Sequence, residues 1–557
     1  MNEIYLCENP TEGCYELRFN YAPALAYYIQ KIPSARYDQD DRCWRVSNHH
    51  KQFLHEFLDF AQKRKLTAKI VHLNELGDAQ SMADSMDDLR QPYNLKLEPY
   101  DYQKKGIQYM LDHKRCFNGD DMGLGKTFQA IAAVSISRAY PCLVVCPAAM
   151  KVTWQREFMK FIGKNAMILD NSNRETWQNY YITGTCNVFI TNYESVKKFC
   201  VERMLAERVT TKNIVLDRRM AMFKTIIIDE AHRCKDASTH WSKYLECICK
   251  GKEYVFLLTG TPVVISNEDL IQQLKIMGRI DDFGGARRFR ERYCKGPTKS
   301  SNLSELNYKL WSICYFRREK SFVLKELPEK TRQYLSVDIT NRREYEIAEN
   351  NLLGYLKTYS KADNETIKRA ARATVMVQIN VLRSIAAKGK LNEAIKFIHD
   401  VIDGGNKLIV FAFHKAIIDE IVKAFPGTVT VTGRDSQDAK QASIDAFQND
   451  PDCQLIALNY KSGGVGITLT AASRALFIEF PWTSAECDQS ESRCHRNGQK
   501  DNVNCYYLYA KNTIDDRVLE VIQQERKNAG IVTGAIDMAD ERIIDKTISY
   551  YKDKKLM

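Results

Sequence analysis

Two short runs carry the residue types that nucleotide hydrolysis needs. The run GDDMGLGKT, residues 119–127, sets Gly123 and Gly125 ahead of Lys126 and Thr127. Glycine has no β-carbon, so backbone N–H groups can close on phosphate oxygens, while lysine offers a cation to the β and γ phosphates and threonine a hydroxyl to magnesium. Asp120, Asp121, Met122 and Leu124 complete the expected nucleotide cradle. The general phosphate-loop spacing has glycine where this chain has Asp120, and taken alone the run could be a glycine turn with a chance lysine. A second run, TIIIDEAH, answers it by placing Asp229 and Glu230 at the end of a β-branched apolar stretch. Carboxylates are costly there unless they work: Asp229, with Thr127, as a metal ligand, and Glu230 as the base that orients and deprotonates the attacking water. Together the runs predict ATP and Mg2+ as ligands.

Later, DQSESRCHRNGQ holds Arg493 and Arg496 three apart with Gln489 a turn earlier, which on a helix aims them together. Such arginines can reach across a domain interface and neutralise charge building on the γ-phosphate. A solvated helix face is the plainer reading of the same residues. SGGVGITLT, residues 462–470, follows an apolar run, and its Ser462, Gly463, Gly464 and Gly466 suit backbone contact with phosphates of nucleotide or nucleic acid.

These motifs need strands to present them. LVVCPA, NVFITN, TIIIDEAH and EYVFLLTGTP alternate with helix-like stretches, and the rhythm returns in KLIVFAF, TVTVTG, CQLIALN, RALFIEF and NVNCYYLYA. Such alternation predicts parallel sheets covered by helices. The expected division is a small α+β unit over 1–72, an acidic linker over 73–94, one α/β lobe over 95–280, a helical insertion over 281–390 and a second α/β lobe over 391–557.

The 557 residues exceed one ordinary core, and 44% apolar with 27% charged residues exclude a disordered polymer. The 17 cysteines form no CxxC pairs with a matching second pair, the N-terminus lacks a basic and apolar leader, and no run of apolar residues is long enough to span a membrane. An intracellular protein is expected, cytoplasmic in a bacterium or phage-infected host, with a nuclear site left open. The net charge of +11 is modest, but basic residues crowd at Arg287, Arg288, Arg290, Arg292, Lys295 and Lys299, and again at Arg317, Arg318 and Lys320. Each crowd reads as a nucleic-acid patch or as a solvated face.

The motif order resembles the Swi/Snf branch of the superfamily 2 helicase-like ATPases, whose phosphate loop also reads D-x-M-G-L-G-K-T. The resemblance runs through PYDYQKKGIQYM, LVVCPAAMKVTWQREF, ITNYESV, DEAH, LLTGTP, VFAFHKAI, VTGRD, NYKSGGVGITLTAAS and DQSESRCHRNGQ, from about 95 to 534. It departs at Asn497, where the family usually has a hydrophobic residue. It implies two RecA-like lobes, with Gln103 reading adenine and Gly466 and Gln489 joining the nucleotide site. It further implies that Thr259, Gly260 and Thr261 couple nucleotide state to grip, and that Pro147, Thr191, Asn192, Ser462 and Gly463 track one DNA strand. Residues from Phe19, FNYAPALAYYIQKIPSARYDQDDRCWRV, resemble the HARP domain of annealing helicases; Tyr37 and Trp44 there are either core aromatics or base-stacking platforms.

The function expected is an ATP-dependent translocase on duplex or branched DNA that reanneals strands or remodels forks. Alternatives are a motor that strips DNA-bound protein complexes, a nucleotide-gated DNA clamp and an RNA helicase.

Overall fold

A computed structural model describes residues 2–9, 12–39, 42–73, 83–260, 267–294, 302–324, 326–360, 365–460 and 467–528, with 544 and 547–549. Three sheets carry it. The first belongs to the N-terminal unit, where strands Asn2–Asn9, Cys14–Arg18, Arg36–Asp38, Cys43–Ser47 and Thr67–His72 form a mixed five-stranded sheet. Thr67–His72 returns parallel to the first strand and so closes the unit. Helices Pro23–Ile29 and Lys51–Lys63 bury Leu25, Ile29, Leu54, Phe57 and Ala61 against it. Trp44 packs against this core, whereas Tyr37, edge-on to it, is half exposed.

The second sheet is all parallel. Its seven strands run, edge to edge, Tyr315–Phe316, Arg115–Asn118, Tyr254–Leu258, Thr225–Asp229, Cys142–Cys146, Val188–Asn192 and Met167–Ile168. The central strands are buried along their whole length, which is why CLVVC, VFITN, TIIID and YVFLL read as continuous apolar runs instead of alternating ones. The third sheet, also parallel, has six strands in the order Lys330–Val337, Val503–Ala510, Arg474–Phe477, Leu408–Ala412, Leu455–Asn459 and Val429–Val431. All 17 cysteines are free thiols.

The expected helical insertion over 281–390 is corrected by these sheets. Tyr315–Phe316 completes the first lobe and Lys330–Val337 the second, pairing with Val503–Ala510 along its full length. Helices Arg342–Ser360 and Glu365–Gly389 pack on each other and, through Tyr345, Leu352, Val375 and Ile379, on the core of the second lobe. The strand Lys330–Val337, KTRQYLSV, lies at a sheet edge, and its mixture of charged and apolar residues hid it among helical charge patterns. The basic crowds also find partners. Arg287 pairs with Glu291, Arg290 with Glu268 and Arg292 with the buried Glu305, leaving Arg288 exposed; Lys295 and Lys299 lie outside the described residues.

Candidate active site

The loop 119–125 joins strand Arg115–Asn118 to helix Lys126–Ser137, so the helix's free N–H groups face the turn. Gly123 and Gly125 hold φ values of +91° and +80°, conformations that bring backbone amides inward and that a β-carbon would strain. Lys126 Nζ donates to the carbonyls of Asp120 at 2.6 Å and Asp121 at 3.4 Å, lying folded on its own loop. Gln103, on helix Asp101–His113, accepts from Tyr100 N at 3.1 Å and donates to Leu124 O at 3.1 Å. Its amide braces the loop, with Tyr100 and Phe161 lining the same cleft.

The side chains of Asp120 and Asp121 turn away from the cleft, leaving only their backbone to face a nucleotide. The Asp120 carboxylate is fully buried beneath the loop, where Oδ1 accepts from Arg318 Nε at 2.9 Å and Oδ2 from Gln129 at 2.8 Å. Asp121 accepts from Arg317 at 3.1 Å and from Lys320 N at 3.1 Å. The FRREK run is therefore no nucleic-acid patch: it buttresses the phosphate loop from behind. Lys320 Nζ continues across to the second lobe and donates to His495 O at 2.8 Å.

Thr225–Asp229 is the central strand, and its C-terminal end delivers the acids to the cleft. Asp229 Oδ2 accepts from Trp154 Nε1 at 2.8 Å, and Tyr193 Oη donates to the Asp229 carbonyl at 2.6 Å. Glu230 has a φ of +52°, a strained setting for a non-glycine residue. It lies 3.4 Å from His232 Nδ1, which is 3.1 Å from the Thr259 hydroxyl beside Gly260. Thr261 lies outside the described residues.

The arginines do not ride a helix as their spacing predicts. Helix Ser484–Glu491 ends at Glu491, whose buried carboxylate is held by Lys330, Arg332 and Tyr507, and both arginines sit on the turns and bends that follow. Gln489 stays on the helix, away from the cleft lining, and uses its carbonyl to accept from Ser492. Arg493 and Arg496 nevertheless enter the same cleft, of about 480 Å³, as Lys126, Thr127, Asp229, Glu230 and Glu157.

Electrostatics say what the cleft is built for. Burial, with Arg496 alongside, pushes Arg493 down to about 9, and burial lowers Arg496 as well. Burial pushes Lys320 down to about 7 among Lys330, Arg496 and Lys126. On the other wall, burial pushes Asp229 and Glu157 up to about 7 and raises Glu230. Burial thus disfavours the charged form of the arginines and Lys320 on one side and of the carboxylates on the other, a pattern complementary to a polyphosphate carrying a divalent ion. Among the described residues no cluster of three or more His, Cys, Asp or Glu forms a metal cage.

The expected strand-tracking residues divide. Pro147, Thr191 and Asn192 lie together at the ends of adjacent strands, but the Thr191 side chain is fully buried and Asn192 is nearly so, donating to Glu194 at 2.7 Å. Ser462, Gly463, Gly464 and Gly466 lie outside the described residues. Trp154 and Glu157 were given no site role from sequence, and Arg318 and Lys320 only that of a basic patch; the one signal for Arg318 beneath the loop was the aspartate standing where a phosphate loop has glycine.

A family model for the SNF2-related domain matches residues 102–391, just over half the chain, and one for the helicase conserved C-terminal domain matches 389–498. A Caenorhabditis elegans homolog of SWI/SNF-related matrix-associated actin-dependent regulator of chromatin subfamily A-like protein 1 is 28% identical over 93% of this chain and 74% of its own length. The mouse DNA annealing helicase and endonuclease ZRANB3 is 29% identical over 79% of this chain. The chain spans less than half the length of that relative and of the Xenopus relatives. The Sulfolobus solfataricus SWI2/SNF2 ATPase core in complex with dsDNA aligns over 84% of this chain and 98% of its own, at 22% identity and a TM-score of 0.39. With a phosphate loop, paired acids and two arginines converging on one cleft between parallel-sheet lobes, this chain belongs to the SNF2-related family of helicase-like ATPases.

Proposed function

We propose that this chain is a motor that hydrolyses ATP to move along duplex or branched DNA and brings separated strands back together. The observation that carries the reading is the cleft itself: the first lobe contributes Lys126, Asp229 and Glu230, and the second contributes Arg493 and Arg496. Hydrolysis in such a site depends on how the lobes sit, so turnover is tied to lobe motion.

Lys126 leaves the carbonyls of Asp120 and Asp121 and takes phosphate oxygens, joined by backbone N–H groups of the loop. Glu230 accepts a proton from the attacking water, whose oxygen forms a bond to the γ-phosphorus as the bond to the β-bridging oxygen breaks. Arg493 and Arg496 balance the charge that spreads over the γ-oxygens. Mg2+, held by Asp229 and Thr127, would neutralise charge shared by the β and γ phosphates. Trp154 and Tyr193 fix Asp229 from both sides, and His232 with Thr259 links Glu230 to the neighbouring strand end.

The names of the relatives support DNA as the track and strand annealing as the outcome, and the HARP-like N-terminal residues support the second point. Displacement of a third strand from a DNA triplex tests the motion, because it reports travel along duplex without unwinding. ATP-dependent release, absent with Glu230→Gln, is expected; release without ATP, or none at all with active turnover, contradicts translocation.

A further inference from the structure

Glu157 is anomalous in this cleft. A carboxylate lining a phosphate site repels the substrate, and the site already has the two acids that metal binding and water activation require. Glu157 lies on helix Lys151–Ile162, three residues beyond Trp154, so it shares the helix face that meets Asp229. Its Oε2 is buried and has no hydrogen-bond partner among the described residues. The favourable charge closest to it in effect comes from the opposite lobe, from Arg496, while Asp229 repels it. Arg496 in turn is half-buried and gives one N–H, Nη1, to Ile467 O at 3.1 Å. A guanidinium has five donors in a fixed fork, so one edge can meet a carboxylate while another meets phosphate.

We infer that Glu157 is a positioning residue for hydrolysis: it receives Arg496 across the lobe interface and aims that guanidinium at the γ-phosphate when the lobes are closed. The pair spans the two lobes, so it forms only as the interface closes, and it holds Arg496 against the recoil of Arg493, which burial leaves close to a like charge. Glu157 exchanges no proton and touches no reacting atom. The inference rests on the cleft being the ATP site, and it does not depend on which nucleic acid is the track.

A double-mutant cycle on the full chain tests it, reading kcat and KM for ATP together with binding of a fluorescent ATP analogue. Glu157→Gln should lower kcat by roughly tenfold or more while KM and analogue affinity change by less than about threefold, the sign of an interaction made in the transition state alone. Glu157→Asp should recover part of the loss. On an Arg496→Ala background, Glu157→Gln should cost nearly nothing further, because the partner it aims is gone. An equal fold-loss on both backgrounds, or wild-type kcat in Glu157→Gln, would overturn the inference. Loss of analogue binding with no change in kcat at saturation would also overturn it, since that outcome makes Glu157 a substrate contact. Failure of the ATP-site reading itself is seen separately, as turnover insensitive to Glu230→Gln.

Discussion

The guanidinium of Arg318 lies directly beneath the phosphate loop, its Nε donating to Asp120 Oδ1 at 2.9 Å and its Nη2 to Gln129 Oε1 at 2.7 Å. Arg318 and Asp120 are both buried, and nearly 200 residues separate them in sequence. The loop that grips phosphate is thus shaped by the strap that leaves the first lobe.

Restoring the general phosphate-loop glycine should therefore harm this chain. Asp120→Gly leaves Arg318 charged, buried and unpaired, and the expected cost is about 3–5 kcal/mol of stability. Chemical denaturation measures it. Adding Arg318→Met to Asp120→Gly should return most of the stability; a single mutant as stable as wild type would show that the ion pair does not support the loop.

Trp154 should behave as part of the metal site although it carries no ligand. Its indole N–H orients Asp229 at 2.8 Å, so Trp154→Phe is expected to cost about ten- to a hundredfold in Mg2+ affinity or turnover while leaving the helix packed. Titration of turnover with Mg2+ decides; an unchanged Mg2+ dependence would place the indole outside the mechanism.

Arg493→Ala and Arg496→Ala should each retain ATP binding and lose turnover, by about a thousandfold if they act as arginine fingers. Equilibrium binding of an ATP analogue beside steady-state turnover separates the two effects. Weakened binding matched by equal loss of kcat/KM at unchanged kcat would reassign them to ground-state contacts.

Lys320 gives stability a pH dependence of known sign. Desolvation of its half-buried ammonium, with Lys330, Arg496 and Lys126 nearby, outweighs Asp121 and pushes it down to about 7 from an ordinary value near 10.5. Between those values the unfolded chain binds the proton and the folded chain does not, so stability rises with pH from about 7 toward 10 and loses that contribution as pH falls toward 7. Melting temperatures of wild type and Lys320→Met over this range should converge as pH rises, the variant being flatter. Parallel curves would show that Lys320 stays charged in the fold.

The strands that present the chemistry were legible because a parallel strand buried on both faces must be continuously apolar, as in TIIID and CLVVC. The order of the motifs then marked the family. What escaped were relationships between distant residues. Nothing local in FRREK distinguishes a solvated basic run from a buried strap; the distinction lies in Asp120 and Asp121, which supply the counter-charges. The helical spacing of Arg493 and Arg496 misled in the same way, because the helix ends at Glu491, before either arginine, and it is the fold of the turns after it that brings both into the cleft. Glu157 reads as one charge on an amphipathic helix until the second lobe's arginines are set opposite it.

The central claim is that the acids of one lobe and the arginines of the other form a single ATP-hydrolysing site driven by DNA. The most direct measurement is ATP turnover by wild type and Glu230→Gln without nucleic acid and with single-stranded, duplex or forked DNA, or RNA. Strong stimulation by duplex or forked DNA, weak stimulation by RNA and loss of turnover in Glu230→Gln are predicted; weak turnover that is equal in every condition, or that survives in the variant, would contradict the account.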